Sequence, residues 1–156
     1  MAASKGISRE EVYRRHAQDL TRFATSLVGP SDAGDVVSGA VVRAMWSERW
    51  NDVRDHRAYL YRAVLNEARM LARSSSRRRV REARAAGGET TFELDFRPDV
   101  AEAVRRLSMR QRAAVFLTYW EGLTQDEVAA RLGISVGSVK RHLSRARTRL
   151  KDLIHE

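Results

Sequence analysis

Apolar residues recur at helical spacing along most of the chain, and the alternation of a strand appears nowhere. Near the start, Ser8 followed by Glu11 has the form of a capping box, and Val12, Leu20, Phe23, Ala24 and Leu27 then line one face. Gly29-Pro30-Ser31 breaks that run and places Ser31 or Asp32 to cap the next helix. There Val37, Ala40, Val41 and Ala44 share a face, and Trp46 and Trp50 near its end read as core aromatics. Asn51 to Asp55 is a polar turn in which Asp55 is a good cap. A third helix follows from Arg57 to about Arg73, with Leu60, Val64, Ala68 and Leu71 inward and Arg57, Arg62, Asn66, Arg69 and Arg73 on its other faces.

The periodicity fades across SSSRRRVREARAAGGETTFELDFRPD, residues 74–99, which holds a basic cluster, Gly87-Gly88 and Pro98. The composition predicts a flexible linker over 74–98 between two small helical domains, 1–73 and 99–156. Helical punctuation then returns. Ser108 with Gln111, and Thr124 with Glu127, each form a capping-box pattern. Gly122 and Gly133 stand just past two apolar-periodic runs, where a left-handed residue ends a helix. Ser135 can cap the next. The pattern predicts helices near 109–120, 125–132 and 136–153, the last two joined by the short turn Leu132-Gly133-Ile134-Ser135 of a helix-turn-helix.

The last of these helices carries the chemistry. At about 100° per residue, Val139, Leu143, Ala146 and Leu150 fall on one inward stripe, and Lys140, Arg141, Ser144, Arg145 and Thr148 fall opposite. Between Val136 and Lys151 there are basic residues at 140, 141, 145, 147, 149 and 151 and no acidic one. Such a face can neutralise phosphates and bond guanine edges in the major groove. A basic face alone is more often just solvated. The caps and glycine turn in register with it shift the reading to double-stranded DNA.

Composition agrees. Of 156 residues, 29 are Lys or Arg and 20 are Asp or Glu, a net charge of +9 that favours a polyanionic partner. There is no cysteine, which excludes disulfides and thiolate metal sites. No apolar run is long enough to span a membrane, and MAASKGISREE lacks the apolar core of a secretory signal, so no membrane insertion and a cytoplasmic location are expected. The carboxylates Asp32, Asp35, Asp52 and Asp55 are scattered, and no P-loop, G-x-S-x-G or H-E-x-x-H occurs. No catalytic residue, metal ligand or cofactor is predicted.

Residues 107–153, LSMRQRAAVFLTYWEGLTQDEVAARLGISVGSVKRHLSRARTRLKDL, resemble region four of bacterial RNA polymerase sigma factors of the extracytoplasmic-function group. Leu27 to Arg73, with GPSDAGDVVSGAVVRAM, then W-x3-W, then RAYLYRAVLNEARMLAR, is similar to region two of the same group. The resemblance implies an all-α fold of two modules and binding to core RNA polymerase, double-stranded promoter DNA and the melted single strand, with an anti-sigma factor as a further candidate partner. It implies minus-35 contacts from Ser135, Ser138, Lys140, Arg141, Ser144, Arg145 and Arg147. It implies minus-10 contacts from Asn51, Asp55, Tyr59, Arg62, Asn66 and Arg69, and polymerase contacts from Asp32, Asp35, Val36 and Arg43. The chain departs from the family at Gly34, Ser38 and Gly39, where acidic and amide groups are usual, and each glycine costs about 1 kcal/mol of helix propensity against Ala.

The competing reading is a LuxR-type helix-turn-helix regulator that never enters polymerase. Such a regulator would carry a sensory α/β domain in its N-terminal half, and this half has no strand pattern.

Overall fold

The computed structural model describes residues 6–82 and 98–154, and all the regular structure there is helical. Helix α1, Arg9–Val28, starts at Ser8, whose Oγ accepts the Glu11 N–H at 3.1 Å. The Glu11 carboxylate does not return to the cap but takes Arg15 at 3.2 Å. Gly29, at φ +87°, ends α1 by donating its N–H to Thr25 O and directly opens α2, Pro30–Trp46. Neither Ser31 nor Asp32 caps α2, contrary to expectation. Pro30 sits at the first helical position, where its fixed φ fits and its missing N–H is no loss.

A 3-10 turn, Glu48–Asp52, leads to α3, His56–Glu82. Asp55 caps α3 as expected, its Oδ1 accepting the Ala58 N–H at 3.0 Å. Helix α3 runs nine residues past the end predicted at Arg73. SSSRRRVRE holds neither Gly nor Pro, and arginine is a good helix former, so nothing local stops the helix. The rest of the predicted linker, 83–97, lies outside the described residues.

An unpredicted helix, α4, Pro98–Arg105, begins on the proline that had marked the linker. The helices α5, Met109–Tyr119, α6, Gln125–Leu132, and α7, Val136–Ile154, follow the predicted spans to within a residue. Ser108 and Gln111 form the full reciprocal box, at 3.2 and 3.1 Å. Thr124 accepts the Glu127 N–H at 3.2 Å, but its own hydroxyl turns to the Glu127 carboxylate at 3.1 Å. Gly122 and Gly133 take φ +65° and +67°, the left-handed turns their positions called for.

Helices α1, α2 and α3 enclose Leu20, Leu27, Val37, Ala40, Leu60, Val64 and Ala68. In the second module α5, α6 and α7 enclose Ala114, Leu117, Val128, Val139, Leu143 and Ala146. Burying each large aliphatic side chain stabilises by roughly 1.5–3 kcal/mol. The two cores run into each other. The Phe23 ring of α1 lies 4.8 Å from Tyr61 of α3 and 6.0 Å from Phe116 of α5.

One aromatic expectation fails. Trp50 is 4% exposed and stacks on His56 with ring centroids 4.3 Å apart, but Trp46 is 80% exposed. Asp35, Ser38, Val42 and Trp46 form a single outward stripe of α2, opposite the Val37/Ala40/Val41/Ala44 face.

Candidate nucleic-acid interface

Helix α7 is anchored by Val139, Leu143 and Ala146, all buried. That anchoring turns Lys140, Arg141, Ser144 and Arg145 outward, and all four are exposed. Ser135 begins the helix, accepting the Ser138 N–H at 3.1 Å and bonding the Ser138 hydroxyl at 3.0 Å. Arg141 in turn donates to Ser138 Oγ at 3.1 Å. These serines therefore brace the start of the helix and hold one arginine in place, which lowers the rotamer entropy lost on contact. Arg147 lies at the margin, where its Nε donates to the Tyr119 hydroxyl of α5 at 3.3 Å. Burial, and then the neighbouring Arg110, Arg145 and Arg141, hold the His142 imidazole below its ordinary range, so it is neutral at pH 7.

A second basic surface lies on α3. Tyr59, Arg62, Asn66, Arg69 and Arg73 line a groove of about 620 Å³ between α3 and the back of α2. Asn66 is exposed, as a group reaching for an unstacked base would be. Tyr59 is half buried, its ring edge-on to Trp50 with centroids 6.2 Å apart. Burial first, and then Arg110 and Arg73, hold Arg69 below the usual guanidinium value. Asn51 and Asp55 flank the mouth of the turn before α3, and both are exposed. Asp55 is already committed to capping the helix.

The third predicted surface is divided. Asp32 and Asp35 are exposed on α2. Val36 is 4% exposed and packs in the core, so its side chain is not available to a partner. The helical phase explains this, because Val36 falls with Ala33, Val37 and Ala40 on the inward face. Arg43 is exposed but aims into the α3 groove, where Nε meets Glu67 Oε1 at 3.0 Å. The reading of the sequence missed this pair because nothing in the spacing of 43 and 67 tells that two helices bring them together. Gly39 belongs to the same junction, since a Cβ there would lie 3.3 Å from Glu67 Oε2. Trp46, which with Val42 continues the Asp35 stripe, was missed for a different reason: its apolar type was read as core, although its helical phase is outward.

Among the described residues no cluster of His, Asp or Glu side chains is arranged to hold a metal, and no helix is long and apolar enough to cross a membrane. What the surface offers is two cationic faces, each set on its own helical module, one of them a helix-turn-helix. The helix-turn-helix with an outward basic row is the architecture of a DNA-binding module. The Sigma-70 region 2 family matches residues 12–78, and the Sigma-70 region 4 family matches residues 98–150. The chain is 33% identical to the RNA polymerase sigma-E factor of Streptomyces avermitilis over 159 aligned positions, covering 97% of this chain and 88% of that one. It is 30% identical to the ECF RNA polymerase sigma factor SigL of Mycobacterium tuberculosis, covering 99% and 93%. Among solved structures it is similar to the sigma factor RpoE in complex with the anti-sigma factor NepR from Bartonella quintana, with a TM-score of 0.67, 25% identity and coverage of 94% and 96%. The chain belongs to the sigma-70 family, in its extracytoplasmic-function group, and is an RNA polymerase sigma factor. Both halves match sigma regions, so the LuxR alternative has no support.

Proposed function

We propose that this chain binds core RNA polymerase in the cytoplasm and directs it to promoters by reading minus-35 with α7 and the melted minus-10 strand with α3. The observation that carries this reading is the exposed row Lys140, Arg141, Ser144 and Arg145, held outward by a buried stripe on a helix-turn-helix. Ser135 and Ser138 act by bracing the start of α7, and Arg147 by contacting the backbone at its margin. On α3, Arg62 and Arg69 supply charge for phosphates, Asn66 an amide for a base edge, and Tyr59 with Asn51 and Asp55 the walls of the pocket.

Polymerase docking is assigned to the outward stripe of α2. Asp32 and Asp35 give it charge, and Val42 and Trp46 supply the apolar centre that charge alone lacks. Arg43 is reassigned to the groove. The protein acts by binding and positioning, with the chemistry left to polymerase. By analogy with the relative solved with an anti-sigma factor, such a factor is a further partner.

The test is reconstitution. Tagged protein is mixed with core polymerase, the complex is isolated, and run-off transcription is measured on fragmented genomic DNA. Defined start sites that appear only with the chain present support the reading. A stable complex without new starts would refute promoter recognition, and no complex at all would refute polymerase docking.

A further inference from the structure

The groove between α2 and α3 is lined by the alanines Ala40, Ala44 and Ala63 and by the cations Arg62, Arg69 and Arg73, and Glu67 is the single carboxylate among its lining residues. An acid is out of place on a surface built for a polyanion. Its geometry is also unusual. The Glu67 side chain is 17% exposed, and Oε1 is buried without accepting a hydrogen bond among the described residues, although Arg43 Nε stands 3.0 Å away. The two groups are paired by charge but not aligned. Oε2 is seated beside Gly39, the one residue type that leaves room for it, since a Cβ there would lie 3.3 Å away.

The two partners are held very unequally. Glu67 is fixed on α3 against α2, whereas the Arg43 side chain is 67% exposed and its other contact is a weak one, Nη1 to Met70 Sδ at 3.6 Å. A pair that served only to fasten the helices would gain most from aligned, charge-assisted hydrogen bonds. Here a buried oxygen retains an unused acceptor site, which is costly, and its cover is a long side chain that can turn away.

A single strand offers what both groups lack. Its phosphates suit the arginine rim, and the flat face of a base suits the alanines. A carboxylate only accepts hydrogen bonds. Adenine N6 and cytosine N4 are amines that donate, whereas thymine puts the carbonyl oxygen O4 in the same place and would set acceptor against acceptor. We propose that Glu67 is a specificity-determining residue of the minus-10 readout: its carboxylate accepts the exocyclic amine of an adenine or cytosine in the α2–α3 groove, in exchange for Arg43, which turns to a phosphate of the same strand. This rests on the assignment of α3 made above. Each group loses one charged partner and gains another, so neither is left unpaired.

The experiment uses holoenzyme reconstituted from the full chain and core polymerase, on promoters with a randomised minus-10 element, and sequences the transcribed members. With the parent, one position should exclude thymine roughly tenfold relative to adenine or cytosine. Glu67→Ala should abolish that exclusion and leave the other positions as they were. Glu67→Gln keeps the volume and, since an amide both donates and accepts, should relax the same position; it serves if the alanine variant fails to fold by circular dichroism. Arg43→Gln should keep the base preference, weaken promoter binding for all members alike and lower the salt slope by about one unit.

A parent profile in which no position excludes thymine overturns the proposal, as does an unchanged profile in a folded Glu67 variant. A change spread over every position makes Glu67 a structural residue and overturns it as well. An Arg43→Gln variant with the parent's salt slope overturns the exchange. The reading of α3 fails separately: it falls if Asn66→Ala and Arg69→Gln both leave promoter binding and the selected profile as in the parent, whatever Glu67 does.

Discussion

Gly133 lies directly under Arg62: a Cβ on the glycine would stand 2.6 Å from the arginine Nε. The glycine is also at φ +67°, so two independent restraints meet at one residue, one from its own backbone and one from a helix 71 positions earlier. Gly133→Ala should therefore destabilise the protein by more than the roughly 1–2 kcal/mol of a left-handed alanine. In an Arg62→Ala background only the backbone part should remain. A double-mutant cycle by urea denaturation measures the difference, and a coupling energy within error of zero would show that the contact carries no weight.

The Tyr61 hydroxyl is buried without a hydrogen-bond partner among the described residues. Tyr61→Phe should leave stability unchanged or raise it by about 1 kcal/mol, because a desolvated polar group is removed and the ring stays. Burial, and then Glu121, hold the phenol above its ordinary value of 10.0. The folded state thus keeps the proton longer than the unfolded chain does. The stabilising contribution is complete below the unfolded pKa and is lost as pH rises toward the folded one. The parent should lose stability above about pH 10, and Tyr61→Phe should lose less. A thermal-shift series from pH 8 to alkaline pH decides it, and equal slopes for the two proteins would count against the assignment.

Asp35 stands at the head of the α2 stripe that ends in Trp46. Asp35→Arg should weaken co-purification with core polymerase while leaving helicity unchanged, since the side chain is exposed and only partner charge is reversed. Trp46→Ala should do the same by removing an apolar anchor. Parent-like recovery of both variants would place the docking surface elsewhere.

Arg145 lies on the outward face of α7, and Arg149 lies one turn later, toward its flank. Arg145→Ala should relax preference at one base pair by roughly 1–3 kcal/mol. Arg149→Ala should weaken all sequences alike and lower the salt slope by about one unit. Selection from a minus-35 library with the parent and both variants separates these outcomes. A motif changed by Arg149→Ala and preserved by Arg145→Ala would reverse the two roles.

Helices α5 to α7 were legible in the sequence because each boundary is written locally, in Ser108, Gly122, Thr124, Gly133 and Ser135. The outward row of α7 was legible for the same reason, since a buried stripe at helical spacing fixes what is left outside. Trp46 was misread because residue type was allowed to outweigh phase. Gly29 was missed as the shared boundary of α1 and α2 because Ser31 and Asp32 are better caps on composition alone, and Pro30 is a better first residue in fact. The Arg43–Glu67 pair and the Arg62 and Arg112 hydrogen bonds join elements far apart in sequence, and no local periodicity encodes such contacts.

The Phe23–Phe116 contact spans 93 residues, while most of the core around Leu20, Leu27, Val64 and Ala68 is closed within the first three helices. A chain emerging from the ribosome completes that three-helix bundle first, and it does so with one aromatic edge still uncovered. Until Phe116 and Arg112 are translated, that edge is bare apolar surface on a nascent protein. The second module is made after the first, and once folded it covers that edge.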